Sequence, residues 1–380
     1  RGAGTGGGDN ASCGNITISG GTVNATGGVR GAGIGGGRRG LDNGSCGNIL
    51  ISGGTVTATG GAGAAGIGGG RGNNTDKLSS CGTITITNGV TRVTATKGEN
   101  APYSIGAGKD GTCGTVTIGG TKYWEDNAAV DNDAATYLAQ ATIVYPEPVT
   151  LATPLTIEAI TAGTIQVNMN ATLSTGMKYS KNGGTKTDIT STTTIEGLKA
   201  GDKVQFYGNG TQTQAYGNSP EVSILGSGDG FKTKVYGNIM SLLDEERFAT
   251  KTDLQNYAFF GLFLENTKLI DASELLLPAA TLTASCYQQM FEGCTALTKA
   301  PKLPATWLET YCYYSMFSGC TSLTSAYVKA AYINVTAECD GMFGGCTATG
   351  ATLHTTSGNK ASWEGVMGTG NWTVADDWQD

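Results

Sequence analysis

The sequence predicts a mainly β chain built of repeats. It has an N-terminal β-solenoid-like stack, a central immunoglobulin-like β-sandwich and a C-terminal leucine-rich-repeat array with a short helical cap. Three observations carry this reading. Blocks of alternating apolar and hydroxyl residues follow four regularly spaced cysteines, and a second repeat with a period of 26 residues runs toward the C-terminus. The third is glycine: 37 of the 61 glycines lie in the first 120 of 380 residues, a density suited to turns and close backbone approaches rather than helices. So uneven a composition divides the chain into at least two domains.

The N-terminal repeats are read over residues 1–125. Cys13, Cys46, Cys81 and Cys113 stand 33, 35 and 32 residues apart, each followed by Gly and a strand-like run such as Ile16-Thr17-Ile18-Ser19-Gly20-Gly21-Thr22-Val23. Ile16, Ile18, Val23 and Ala25 fall on one face of a period-two pattern, and Ile49, Ile51, Val56 and Ala58 repeat them in the next block. Gly-Ala-Gly-Ile-Gly-Gly-Gly at 31–37 and its copy at 64–70 separate the blocks. One such coil cannot bury its apolar face alone, whereas stacked coils can. Whether each unit is a triangular rung or a folded hairpin is open at this stage. The cysteines are read as a column of small buried thiols.

Residues 126–145 read as a linker, and 146–230 as the sandwich. In the latter, Leu155–Ile160, Thr164–Asn168, Thr193–Glu196 and Lys203–Tyr207 are strand-like runs punctuated by glycine turns. Asp244–Leu264 is the best helix candidate, and it makes 231–270 a helical cap joined to a degenerate repeat. The array proper spans 271–350, with 351–380 as its C-terminal cap. Its recurrent positions are Cys286, Cys312 and, with one insertion, Cys339; Met290, Met316 and Met342; Phe291, Phe317 and Phe343; and Cys294, Cys320 and Cys346. A period of 26, with Leu297, Ala300 and Leu303 at the apolar offsets, falls in the leucine-rich class. The chain opens at Arg1 within a glycine-rich run, so an upstream segment is expected.

Composition also excludes. With a net charge of −7 and no basic stripe, nucleic acid is not an expected partner. No apolar run reaches the length of a membrane span. A single histidine, His354, rules out His pairs, and it reads as a surface or satisfied residue. Asp9, Asp42, Asp76 and Asp110 fall one per coil and read as solvated turn residues rather than a calcium ladder. No metal or cofactor is expected.

The aromatic residues are the candidate site. Trp307, Tyr311, Tyr313, Tyr314 and Tyr327 crowd the array at positions that vary while its frame stays fixed, which is how solenoids build recognition faces. Trp363 and Trp372 read as cap packing.

The Met-Phe-x-Gly-Cys-Thr-x-Leu-Thr units at 290–298 and 316–324, with Leu-Pro-Ala-Thr at 303–306, resemble the BspA-like leucine-rich repeats of gut Bacteroidetes surface proteins. Similar arrays occur in fibres of the phages that infect those bacteria. The N-terminal units resemble repeats of large secreted gut-bacterial proteins. The resemblance implies an extracellular or cell-surface protein of adhesion and recognition, non-enzymatic, whose partner is a glycan or a host-surface protein. The alternatives are a structural fibre of a gut phage, located in the virion and a homo-oligomer, and a carbohydrate-active enzyme with a catalytic β-helix.

Overall fold

The computed structural model describes residues 3–8, 11–38, 44–73, 79–169, 176–190, 192–208, 222–367 and 372–379. The chain is mainly β and forms two compact units, Arg1–Pro148 and Val149–Asp380.

In the first unit the blocks stack as rungs. Ile16–Thr26 pairs in parallel with Ile49–Thr59, which pairs in turn with Ile84–Ile86 and Arg92–Thr96. The register keeps equivalent residues opposite one another: Ile16 on Ile49 on Ile84, and Val23 on Val56 on Val93. A second parallel ladder joins Thr5–Gly6, Ile34–Gly35, Ile67–Gly68 and Ile105–Gly106. A third runs through the cysteines, Cys13 on Cys46 on Cys81 on Cys113. Three ladders per coil decide for rungs over hairpins. The expected inner face is the core: Ile49, Ile51, Val56, Ala58, Ile84, Ile86, Val93 and Ala95 are buried. Asn15 and Asn48 add a side-chain ladder on the surface, each Oδ1 accepting from the amide one coil on, Asn48 at 2.9 Å and Thr83 at 2.8 Å.

Residues 126–145 are not a linker. They close the stack with the helix Asn132–Leu138 and the strand Thr142–Tyr145, which pairs antiparallel with Arg92–Thr96. Leu138 and Ile143 are fully buried beneath them. The Thr-Ile-Val-Tyr run supplies the alternation an edge strand needs, and an antiparallel edge ends a parallel stack.

The second unit begins with two sheets around a common core. Gly163–Met169 lies between Thr192–Leu198 and Val222–Ser227. The other sheet carries Thr156–Ala159 between Lys203–Tyr207 and Thr233–Asn238. Ile157, Val204, Phe206 and Val235 meet Ile165, Val167 and Ile224 in the core. The second of these sheets does not stop there. Thr233–Asn238 pairs in parallel with Leu269–Leu276, and the ladder continues through Lys299–Leu303, Ser325–Val328, Ala351–His354 and Trp372–Ala375 into one ten-stranded sheet. Each of these last strands forms the strand wall of one coil.

Opposite each strand in sequence comes a wall of turns. Alternate amides run between coils: Tyr287 to the Cys312 carbonyl, Gln289 to Tyr314, Phe291 to Met316 and Gly293 to Ser318, at 2.8–3.1 Å. The amides between them close turns within the coil. Every fourth residue is left-handed: Ser285, Gln289 and Gly293 in one coil, Tyr311, Ser315 and Gly319 in the next. Phe263, Phe291, Phe317 and Phe343 stack through this wall at centroid spacings of 5.3, 5.5 and 5.6 Å. Phe263, Phe291 and Phe317, fully buried, each bury surface worth about 2 kcal/mol, and each stacked pair adds about 1 kcal/mol.

The helix expected over Asp244–Leu264 is absent; the segment is a run of turns. Asp244 caps the first, its Oδ1 accepting from the amides of Glu246 and Arg247. From Tyr257 onward the pattern is that of a coil, with Tyr257, Gly261 and Glu265 left-handed. Amides that a helix would spend on its own carbonyls reach instead to the next coil, Gly261 to Gln288 and Phe263 to Met290. Strand Thr233–Asn238, not a helical cap, therefore covers the open end of the array. At the other end the helix Lys360–Met367 packs Trp363, fully buried, whose indole donates to the Ala330 carbonyl at 2.9 Å.

Candidate functional site

The turn wall sorts the crowded aromatics by frame position. Tyr311 occupies the left-handed position shared with Tyr257, Ser285 and Ala337, with φ between 58° and 63° at all four. From there its ring points outward and is 43% exposed. Tyr314, half-buried, meets it edge-on at 5.5 Å. Tyr313 does not join them. It is 1% exposed and stacks on Tyr287 at 6.3 Å, in a core column that begins at Phe259. The sequence did hold this signal: an aromatic recurs at 259, 287 and 313, so this is a fixed position and not a variable one. Burial drives the Tyr313 phenol well above its ordinary pKa, as expected for a hydroxyl with no water to solvate its anion.

Trp307 is 65% exposed, the most exposed aromatic side chain of the array. Its backbone pairs with Thr281 of the preceding coil, and its carbonyl accepts from the Leu282 amide at 3.0 Å. The pairing sets Trp307 at the register of Thr281 one coil back. Thr281 lines a shallow cleft of about 410 Å³ with Thr252, Asp253, Leu254, Pro278, Ala280 and Thr283. The cleft mixes the Asp253 carboxylate and threonine hydroxyls with the apolar Leu254, Pro278 and Ala280. The Lys251 ammonium, 2.8 Å from Asp253, holds that carboxyl below the usual range, so it is an acceptor at neutral pH. The Thr283 hydroxyl is committed to the Gln255 carbonyl, whereas Thr252 and Thr281 are exposed residues of the lining. Sequence reasoning missed these residues because no motif joins 252–254 to 278–283; stacking brings them together.

Tyr327 lies on the strand wall rather than the turn wall. Its ring stacks on His354 at 4.1 Å with the planes 10° apart. His354 is satisfied, its Nδ1 lying 2.8 Å from Asp377 Oδ1. Thus Tyr311 and Tyr314 meet on the turn wall, Trp307 stands on the β-bridge that precedes it in the same coil, Tyr327 lies on the strand wall, and Tyr313 is interior.

Of the loop carboxylates, Asp9, Asp42 and Asp76 lie outside the described residues. Asp110 is an exposed left-handed turn residue. Among the described residues no cluster of three His, Cys, Asp or Glu side chains could hold a metal ion, and no helix is long and apolar enough to cross a membrane. All ten cysteines are free thiols. In the array they are bonded to the frame: Cys294, Cys320 and Cys346 donate to the carbonyls of Phe263, Phe291 and Phe317 at 3.0–3.1 Å.

Residues 16–38 and 49–71 match the family model of a β-helix repeat. Each matched stretch holds one long strand and the glycine-rich strand after it, so the match covers two consecutive rungs. No curated protein and no solved structure matches the chain.

Proposed function

We propose that the chain is a non-enzymatic, extracellular recognition protein that binds a glycan through its C-terminal coils. In this reading the coils are leucine-rich repeats of the BspA-like kind, and the two-sheet region before them is an immunoglobulin-like spacer. The observation that carries the reading is Trp307: an indole two-thirds in water, whose backbone pairs with Thr281 at the rim of a cleft lined by hydroxyls, one carboxylate and apolar side chains. An exposed Trp of this kind supplies a flat apolar face for a sugar ring, while Thr252, Thr281 and Asp253 offer partners to its hydroxyl groups. Tyr311 and Tyr314 extend the aromatic surface along the same coil. Recognition of this type sums several modest contacts over a repeating face.

Glycan-array binding of Trp307→Ala and of Tyr311→Ala/Tyr314→Ala tests it. Removing the central aromatic of such a surface costs about 2 kcal/mol, roughly a thirtyfold loss of affinity, and the melting temperature should barely change because the ring is exposed. Tyr313→Ala is the counter-control, expected to destabilise the fold by about 3 kcal/mol. Unchanged binding by Trp307→Ala, or no glycan bound by the intact chain, removes the reading.

A further inference from the structure

The strand wall of the last coils holds a second, separate arrangement. Lys302, Tyr327 and His354 are register partners on three successive strands, so they form one row across the outer face. The segment Asp376–Gln379 crosses that row and is gripped at each residue. Asp376 lies 3.9 Å from the Lys360 ammonium. Asp377 meets the His354 imidazole at 2.8 Å. The Trp378 amide donates to the Thr355 carbonyl at 3.1 Å. Its ring has the ammonium groups of Lys302 and Lys329 at 5.6 and 5.8 Å from the centroid and the Tyr327 ring edge-on at 6.4 Å. Lys302 also donates to the Gln379 carbonyl at 2.7 Å.

Three features suit this wall to holding a peptide. The wall reads side chains by chemistry, an imidazole for the carboxylate and two cations with a phenol for the indole, and it reads the backbone with Thr355 and Lys302. The grip lies at the surface, with the Asp377 side chain 57% exposed. Its exposed carboxylate–imidazole hydrogen bond and cation–π contacts are individually weak, so the segment can leave. We propose that Lys302, Tyr327, Lys329, His354 and Thr355 form an acceptor site for an Asp-Trp-Gln segment. The chain's own residues 376–379 fill it, and the same segment of a second copy takes it when they are displaced. Tethering favours the chain's own segment at low protein concentration, and a second copy competes as concentration rises.

The test uses the full chain carrying Asp377→Ala and Trp378→Ala, which empties the acceptor without touching it. A fluorescein-labelled peptide Val-Ala-Asp-Asp-Trp-Gln is titrated and followed by anisotropy. The emptied variant should bind it, the intact chain at least about tenfold more weakly because its own segment competes, and a scrambled peptide not at all. Adding Lys302→Ala and His354→Ala to the emptied variant should abolish binding. Asp377→Asn alone, which keeps the side-chain volume, should raise the intact chain's affinity for the peptide. Failure of the emptied variant to bind at about 1 mM peptide, or binding indifferent to Lys302→Ala and His354→Ala, overturns the site. Mixing the emptied variant with a Lys302→Ala/His354→Ala chain, which keeps the segment but lacks the acceptor, should give a dimer by light scattering. Peptide binding without that dimer overturns occupancy by a second copy.

Discussion

A thiol is a weak donor, yet each C-terminal coil keeps one aimed at a carbonyl of the coil before it. Cys294, Cys320 and Cys346 do so at 3.0–3.1 Å, and Cys286, Cys312 and Cys339 form a second buried column beside them. A serine would donate more strongly but would cost more to desolvate, so a small, weakly polar group suits a position that is packed and only partly bonded. Burial pushes the thiols of Cys286, Cys339 and Cys346 up to about 12 from an ordinary value near 9. A raised folded-state value stabilises the fold fully below the unfolded value, and that stability is lost as pH climbs from about 9 toward 12. Each such thiol should therefore lower stability by about 1.4 kcal/mol per pH unit in that window. Urea midpoints between pH 8 and 11 check this: the intact chain should decline above pH 9, and Cys286→Ala should decline less steeply. Parallel profiles for the two would refute the assignment to Cys286.

At the scale of elements, the tightest constraint in the N-terminal rungs is a column of glycines. Gly6, Gly35, Gly68 and Gly106 share φ values of 128–130°, a backbone region that a side chain occupies only under strain. Space is a second and separable constraint. A Cβ on Gly35 would sit 2.1 Å from the Gly68 carbonyl oxygen, whereas one on Gly106, at the end of the ladder, meets nothing nearer than 3.7 Å. Gly106→Ala should cost only the strain, about 1–3 kcal/mol. Gly35→Ala should cost clearly more, because the rungs must also part. Urea unfolding of the two variants decides, and equal losses would mean that close stacking at this ladder contributes little. Most of this element was legible in the sequence, since period-two alternation and recurring glycines are local signals that stacking merely repeats. What escaped was governed by partners one coil away. Asp244–Leu264, a charged Asp-Glu-Glu-Arg start followed by the apolar run Tyr-Ala-Phe-Phe-Gly-Leu-Phe, reads as a helix, but its left-handed residues and inter-coil amides belong to a turn wall. Residues 126–145 read as a linker because their core partners, the strand Arg92–Thr96 among them, lie far back in sequence. The cleft near Trp307 was invisible for the same reason, whereas the exposure of Trp307 and Tyr311 fits positions whose residue changes from coil to coil.

Across the whole second unit, repeat and non-repeat regions share one sheet and one core. Strand Thr233–Asn238 hydrogen-bonds to Thr156–Ala159 on one side and Leu269–Leu276 on the other. The apolar cluster runs unbroken from Leu155 to Trp372. Two buried asparagines join the parts at polar points. Asn238 donates to the carbonyls of Leu151 and Phe248 and accepts from the Met240 amide. Asn266 donates to the Ile224 carbonyl and accepts from the Gly226 and Lys268 amides. Left unpaired, such groups cost about 1–3 kcal/mol each, so the junction favours a single arrangement. Residues 149–380 should therefore unfold as one cooperative unit, and a cut at Gly228–Gly230 should leave neither piece stable. The first piece would lose the strand between its sheet and the array. The second would expose that strand's edge and the apolar face it covers. Expressed separately, residues 149–228 and 229–380 should lack sharp urea transitions, while 149–380 keeps one. A cooperative transition in 229–380 alone, at the midpoint of the longer fragment, would show that the coils cap themselves and that the shared sheet is incidental to their stability.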